Sequence, residues 1–211
     1  GDIITDTIDI RCYDSVVDWF QRNKPNIVIL TAAIIRQEQI RLDPVNSTQT
    51  NIQGLIHVLQ NCVAHECKII FSSTVHVYEG LTCDVDENTQ LSTLDKHLYS
   101  QSKITCEQII RSYNYLYGLS YVILRYGVLY GPNSHDDMII NRLIYRATHD
   151  QDLVVFGTGY QRRCFVHIDD LCRGVNTIVS SDLSDVTVNL CELKTYSVIE
   201  LAQLTVNRFN S

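Results

Sequence analysis

The sequence lacks several features that would place it in a specialised class. No apolar run approaches the roughly 18 residues of a membrane-spanning helix, and no charged segment followed by an apolar one resembles a secretory leader. Basic residues are few: 17 lysines and arginines stand against 24 aspartates and glutamates, for a formal charge of −7. A protein that mainly binds nucleic acid needs a basic surface. We therefore expect a cytoplasmic protein with neither nucleic acid nor membrane as a partner.

The sequence also lacks a CxxC pair, although it has eight cysteines. In a chain of 211 residues without a leader, scattered cysteines are typical of buried thiols in a reducing compartment. We expect neither disulfides nor a metal site. The cysteines are Cys12, Cys62, Cys67, Cys83, Cys106, Cys164, Cys172 and Cys191.

Methionine is nearly absent, since Met138 is the only one and the chain begins with Gly1. Both features are typical of an internal part of a longer protein. The length supports one good-sized domain or a domain with a small annex.

Buried strands alternate with amphipathic helices along the first 125 residues. Continuous apolar runs predict strands, and helical spacing of apolar residues predicts helices, so that the alternation predicts a parallel α/β sheet with helices on both faces. Gly54 inside a predicted helix indicates close packing on a neighbour, and Gly118 is expected to end another helix. The predicted strands are 27–30, 68–71, 121–125 and 186–190; the predicted helices are 13–22, 45–64, 99–117, 136–148, one capped by Asp169 or Asp170, and one capped by Ser197.

Small and hydroxylated residues follow two of the predicted strands, at the edge where open parallel sheets bind ligands. Thr31, Ala32 and Ala33 follow the first, and Ser72, Ser73 and Thr74 end the second. On the next predicted helix, Tyr99 and Lys103 are four residues apart and leave the same face. A nearby cation favours the phenolate form of tyrosine, which can act as a base. Taken alone, this spacing is also that of an ordinary solvated pair.

In this order and spacing, the segments resemble the extended short-chain dehydrogenase/reductase family, specifically its nucleotide-sugar epimerase/dehydratase branch. YxxxK alone is a weak signal, but the similarity extends along nearly the whole chain. The matching segments are 9–10, 32–33, 51–54, 71–78, 99–103, 124–132, 157–169 and 196–202.

The resemblance implies a Rossmann-like, doubly wound parallel sheet that is truncated at its N-terminus, with a small C-terminal substrate-binding portion. Residues 1–134 would be the NAD(P)-binding domain without its first strand, loop and helix. Residues 135–211 would mainly bind substrate, with 163–190 returning to the sheet. A homodimer through the Tyr99 helix and the long helix from Val45 is also implied.

The resemblance implies roles for individual residues. Tyr99 would be the catalytic acid/base, Lys103 would hold the nicotinamide ribose and keep the pKa of Tyr99 low, and Thr74 would hydrogen-bond the reacting sugar oxygen. Arg163 would bind the nucleotide diphosphate; its alternative role is a surface ion pair. The implied cofactor-binding residues are Asp9, which would contact adenine, Ile10, Thr31, Ala32, Ala33, Ser72, Ser73, Tyr99, Lys103 and Tyr126, and the substrate-binding residues are Thr74, Tyr99, Arg163 and Val128.

The sequence departs from the family pattern in three places. No GxGxxG occurs in it, so the usual pyrophosphate cradle is missing and the choice between NAD and NADP stays open. Val75 and His76 stand where dehydratases usually have acidic residues; His76 is either an acid/base near neutral pH or a pocket wall. Val128 replaces a frequent asparagine.

Tyr99, Lys103 and Thr74 without the dehydratase acids indicate an NAD(P)-dependent 4-epimerase of a nucleotide-diphosphate sugar, working through a transient 4-keto sugar. One alternative is an NADPH-dependent 4-keto-sugar reductase or a dehydratase of the same family. The other is a non-catalytic binding or regulatory subunit that keeps the fold.

Overall fold

The computed structural model describes residues 3–81, 84–92 and 97–209, which form two compact units. The first consists of Gly1–Arg125 and Ser181–Asn189, the second of Tyr126–Ser180 and Leu190–Ser211. The division into functional domains at residue 134 stays a prediction. In chain order, the strands are β1 (Ile27–Leu30), β2 (Lys68–Thr74), β3 (Tyr121–Tyr126), β4 (Val128–Tyr130), β5 (Arg162–His167), β6 (Val186–Leu190) and β7 (Thr195–Ser197). The helices are α1 (Tyr13–Asn23), α2 (Gln37–Leu42), α3 (Pro44–Thr48), α4 (Gly54–Ala64), α5 (Leu98–Tyr117), α6 (Ile139–Thr148), α7 (Ile168–Val179) and α8 (Val198–Phe209).

The first unit is built on a four-stranded sheet in the order β1-β2-β3-β6. β1 and β2 are parallel, and Leu30 pairs with Phe71 at their carboxyl ends. β2 and β3 are almost wholly buried, as the continuous apolar runs predicted. Of the range 163–190, β6 lies in this sheet, whereas β5 belongs to the second unit. The fold is the predicted Rossmann-like α/β arrangement.

Helices α1, α4 and α5 pack their apolar sides into one core of the first unit. Gly118 ends α5 in the left-handed conformation at φ 67°, and its N–H donates to Asn114 O at 2.8 Å, which confirms the predicted helix end. The buried core residues include Val16, Phe20, Leu55, Leu59, Ile69, Cys106, Ile110 and Ile123.

The predicted helix over 45–64 is divided rather than regular. α3 begins at Pro44, where Asp43 Oδ1 accepts from Asn46 N at 3.0 Å, and a π-helical segment, Gln49–Gln53, connects it to α4. Gly54 follows this segment, and a Cβ placed there would lie 2.6 Å from Ile10 Cδ1. Close packing is therefore the reason for glycine at this position.

The second unit holds a three-stranded sheet in which β5 lies parallel to β4 and antiparallel to β7. α6 begins at Ile139, three residues later than predicted. Ser197 caps α8 as predicted: its Oγ accepts from Glu200 N at 3.1 Å, while Glu200 Oε2 accepts from Ser197 N at 2.7 Å. This reciprocal pair is a capping box.

The predicted cap of α7 is wrong. Neither Asp169 nor Asp170 precedes the helix, because both already lie in its first turn. His167 takes the N-cap position with extended backbone, and its Nδ1 accepts from Asp169 N at 3.3 Å. A histidine nitrogen here replaces the oxygen that N-caps more often use.

The cysteines are only partly as predicted. Cys62, Cys67 and Cys106 are buried thiols, but Cys12 and Cys172 are exposed, so the prediction of buried thiols is wrong for these two. Cys12 precedes the first turn of α1, and Cys172 lies on an exposed side of α7. Cys83 lies outside the described residues. In the part of the chain that the structure describes, no helix is both long and apolar enough to cross a bilayer.

Candidate active site

Thr74 and Tyr99 form the centre of the candidate site, where β2 ends and α5 begins. Their side chains hydrogen-bond to each other. The Thr74 hydroxyl also accepts from His76 N at 3.2 Å and so caps the short 3₁₀ helix Val75–Tyr78. Because Thr74 is buried, these contacts fix its hydroxyl beside the Tyr99 phenol.

The pKa of Tyr99 differs from the expectation. Burial raises it above its ordinary value of 10, while the hydrogen bond with Thr74 acts in the opposite direction. We expected Lys103 to keep this pKa low. In the chain by itself, the phenol is therefore protonated at neutral pH, which is the form that a general acid needs.

Lys103 is buried and is not part of a solvated pair. Its ammonium donates to the carbonyl oxygen of Ser72 at 2.7 Å and lies 4.6 Å from the centre of the Phe71 ring. Burial lowers its pKa to about 8, against the opposing effects of Cys106 and Glu107. Buried lysines are rare unless they have partners, so the surface-pair alternative is excluded.

The loop after β1 is tied to α5 by Asn51, which sequence reasoning did not place in the site. Ile34 N donates to Asn51 Oδ1 at 2.7 Å, and Asn51 Nδ2 donates to Ile34 O at 2.9 Å. Cys106 Sγ in turn donates to Asn51 O at 3.1 Å. Since Leu30 pairs with Phe71, the segment 31–33 leaves the sheet at the same edge as 72–74.

The side chain of Ser73 contacts a buried ion pair, and its binding of a cofactor stays a prediction. Its Oγ donates to Glu107 Oε1 at 2.6 Å, and Arg125 donates to both oxygens of that carboxylate, at 3.0 and 2.6 Å. Arg125 Nη1 also donates to Tyr78 Oη at 2.5 Å. One signal could have identified Glu107, which lies four residues after Lys103 and hence on the same helical face.

Asp9 and Ile10 have separate roles in the structure. Asp9 is exposed, and its carboxylate accepts from Arg11 Nε and Nη2 at 2.8 and 2.6 Å. These hydrogen bonds lower the pKa of Asp9 to about 2. Ile10 is buried against Gly54, and its carbonyl lies 2.9 Å from His57 Nδ1. Contact of Asp9 with adenine stays a prediction.

The remaining predicted residues are divided between the units. His76 is half-buried directly after Thr74 and Val75 in the first unit. Arg163, Val128 and Tyr126 belong to the second. Arg163 is exposed on β5, and its Nη1 donates to the carbonyl of Arg162 at 3.0 Å. Val128 begins β4 and is half-buried.

The residues present suit one end of a dinucleotide cofactor. A buried ammonium, a phenol and a hydroxyl at the carboxyl ends of parallel strands match the polar groups of a ribose and a reacting alcohol. The sequence contains no GxGxxG to hold the pyrophosphate. In the described part of the chain, no three histidine, cysteine, aspartate or glutamate residues are grouped as metal ligands.

Comparison with known proteins agrees with this geometry. The sequence model of the NAD dependent epimerase/dehydratase family matches residues 2–191. The uncharacterized UDP-glucose epimerase YtcB of Bacillus subtilis is 35% identical over 156 residues, which are 73% of this chain and 49% of YtcB. The dTDP-D-glucose 4,6-dehydratase of Dictyostelium discoideum is 29% identical over 171 residues, covering 76% of this chain and 39% of the relative. The chain thus spans about half the length of the curated relatives it matches, or less.

A solved structure is similar over nearly the whole chain. The UDP-glucuronic acid 4-epimerase of Bacillus cereus, in complex with UDP-glucuronic acid and NAD, superposes with a TM-score of 0.83 at 26% identity. The match covers 93% of this chain and 62% of that one.

Proposed function

The chain belongs to the NAD-dependent epimerase/dehydratase family, and we propose that it acts with NAD on a nucleotide-diphosphate sugar as a 4-epimerase, through a transient 4-keto sugar. The observation that carries this proposal is the contact of Thr74 with Tyr99, together with the buried ammonium of Lys103 at Ser72 O, two residues before Thr74. Relatives named as epimerases support it.

Tyr99 is the acid/base of the proposed reaction. Its phenolate takes the proton of the C4 hydroxyl as hydride leaves C4, and the phenol returns a proton when hydride re-enters on the opposite face. The nicotinamide, when bound, accepts and returns the hydride, and its positive charge favours the phenolate. Hydride and proton are both restored, so the product is an isomer of the substrate.

Thr74 and Lys103 orient the reactants in this proposal. The Thr74 hydroxyl is held beside Tyr99 and hydrogen-bonds the sugar oxygen as it becomes a carbonyl. Lys103 has three N–H donors, of which one is directed at Ser72 O. Another can hold a ribose hydroxyl. Arg163, a guanidinium suited to phosphate oxygens, binds the diphosphate.

The residues after Thr74 favour epimerisation over dehydration. Removing water from the sugar requires a further acid and base, and the side chain of Val75 can be neither. His76 is the one titratable group between Thr74 and Tyr78, and we assign it to the pocket wall.

We further propose a homodimer through α4 and α5. The C-terminal turn of α5 exposes large apolar side chains: Tyr115, Leu116 and Tyr117 are 87%, 63% and 59% exposed. Sedimentation at micromolar concentrations tests this, since a monomer at all concentrations contradicts it.

The test of the proposed activity incubates the full-length protein and NAD with UDP-, dTDP-, GDP- and CDP-sugars, followed by NMR. We expect the 4-epimer of one sugar to accumulate without net change in NAD. In a parallel incubation with NADPH and a 4-keto sugar, net oxidation of NADPH would instead identify a reductase. With NAD, loss of water would identify a dehydratase, and binding without turnover a non-catalytic subunit. Each of these three outcomes overturns the proposal.

A further inference from the structure

We infer that Glu107 is a positioning residue of the proposed site: it anchors the end of β2 through Ser73 and maintains the charge of Lys103. This inference rests on the proposed function only in treating Thr74, Tyr99 and Lys103 as the catalytic site. The contacts that carry it belong to the chain itself.

The Glu107 carboxylate is the shared acceptor of a buried hydrogen-bond network next to the site. It is 1% exposed, accepts from Ser73 Oγ at 2.6 Å and receives two hydrogen bonds from Arg125. Ser73 lies between Ser72, whose carbonyl holds Lys103, and Thr74, whose hydroxyl contacts Tyr99. By holding Ser73, Glu107 therefore fixes the neighbouring Ser72 and Thr74, which contact Lys103 and Tyr99.

Arg125 secures the carboxylate from the neighbouring strand. Its guanidinium makes a bidentate contact, which fixes the plane of the Glu107 carboxylate as well as its distance. Arg125 also donates to the hydroxyl oxygen of Tyr78, which in turn lies 2.9 Å from Asn189 Oδ1. Glu107 is thus connected to Arg125 on β3 and, through Tyr78, to Asn189 on β6, and not only to its own helix.

Glu107 also provides the negative charge that faces Lys103. The groups that raise the pKa of Lys103 against burial are Cys106 and Glu107. Burial raises the pKa of Cys106 to about 12, so its thiol is neutral where Lys103 titrates. The other neighbours of the ammonium, Ser72 O and the Phe71 ring on β2, are uncharged. Glu107 is left as the charge that favours the ammonium form.

Two cations share the Glu107 charge. Arg125 is in direct contact, and Arg111 Nη2 lies 3.9 Å from Oε2 at the exposed side of the helix. A carboxylate with a purely structural role would pair with Arg125 and would not change the pKa of Lys103. Titration of Lys103 therefore separates a positioning role from a structural one.

The experiment is an NMR titration of ¹³Cε-labelled lysine in the full-length protein between pH 6.5 and 10, without cofactor or substrate. The Lys103 signal is identified by its loss in Lys103→Arg. Wild type should titrate near the expected pKa of about 8. Glu107→Gln keeps the size of the side chain and should lower the midpoint by about one pH unit.

Glu79→Gln is the matched control. It neutralises another carboxylate that contacts α5, where Glu79 Oε2 accepts from Ser100 Oγ at 3.3 Å. The Lys103 midpoint should stay unchanged in this variant. A shift as large as that of Glu107→Gln would overturn the assignment to Glu107.

If Glu107→Gln does not fold, the double variant Glu107→Gln/Arg125→Gln replaces it, because it does not leave the Arg125 guanidinium without its carboxylate partner. A lowered Lys103 midpoint in the folded variant supports the inference, and an unchanged midpoint overturns it. Absence of epimerase turnover would not affect this result, because the titration needs no reaction. An unchanged midpoint in an active enzyme would reject the role of Glu107 and leave the proposed function standing.

Discussion

Thr74 and Tyr99 hydrogen-bond to each other across the junction between β2 and α5. The two residues are 25 positions apart in the sequence, and the contact depends on how the strand and the helix pack. It places a hydroxyl and a phenol side by side at the sheet edge where ligands bind.

Replacing Tyr99 by phenylalanine should abolish most of the proposed turnover. The variant loses the group that moves the proton, and we expect kcat to fall by about 10²- to 10⁴-fold. Affinity for NAD should change little, which calorimetry can measure. Tyr115→Phe on the exposed side of the same helix is the control. A Tyr99→Phe enzyme within tenfold of wild type would remove Tyr99 from the mechanism.

The burial of Lys103 should make stability depend on pH. Its pKa is about 8 in the folded chain against an ordinary 10.5, so the unfolded chain holds more protons between these values. Relative to Lys103→Met, the stability of wild type should therefore rise with pH above about 8, by up to about 2 kcal/mol at pH 9.5.

Urea unfolding at pH 7 and pH 9.5 checks this difference. The control is Lys194→Met, at an exposed lysine, for which the difference from wild type should be nearly the same at both pH values. A difference between wild type and Lys103→Met that falls as pH rises would contradict the burial of an ammonium at Lys103.

Breaking the buried ion pair should destabilise the fold strongly. Arg125→Met leaves the Glu107 carboxylate in the core without its main partner, at a cost of about 3–5 kcal/mol. The double variant Arg125→Met/Glu107→Leu should be more stable than this single variant, because neither member of the ion pair is left without its partner. Arg111→Met removes a half-exposed neighbour and should cost less than about 1 kcal/mol. Urea unfolding of these variants and of the single variant Glu107→Leu gives the free energy of unfolding for each, and additive effects of the two core substitutions would refute direct coupling.

Gly54→Ala should destabilise the chain despite the better helix propensity of alanine. The new methyl group would lie 2.6 Å from both Cγ1 and Cδ1 of Ile10, and such overpacking costs about 1–3 kcal/mol against about 1 kcal/mol gained from propensity. In an Ile10→Gly background, which also removes the Cβ that lies at 3.3 Å, the methyl group has room, and Gly54→Ala should become stabilising. Thermal unfolding of the four chains measures the effect of Gly54→Ala on stability in each background. An effect of the same sign in both backgrounds would rule out the clash.

Local signals predicted the elements well where the relevant contacts are short-range. Gly118 ends α5, and Ser197 caps α8, because a left-handed residue and a side-chain cap each act within four residues. The prediction of the α7 cap was wrong because aspartate is a frequent capping residue, which favoured Asp169 and Asp170. In the structure, the preceding His167 supplies the acceptor. The exposure of Cys12 and Cys172 could not be predicted from a general preference of cysteine for the interior.

The sequence by itself determined the order of strands and helices and the common helical face of Tyr99 and Lys103, because apolar periodicity and i,i+4 spacing are local properties. Only the tertiary structure decided that Lys103 is buried against Ser72 O, that burial raises the pKa of Tyr99, and that Ser73 points at Glu107. The partners in the Ser73–Glu107–Arg125 network are 34 and 18 positions apart. Burial and contacts of this range depend on the packing of β2, β3 and α5, which no single segment of the sequence contains.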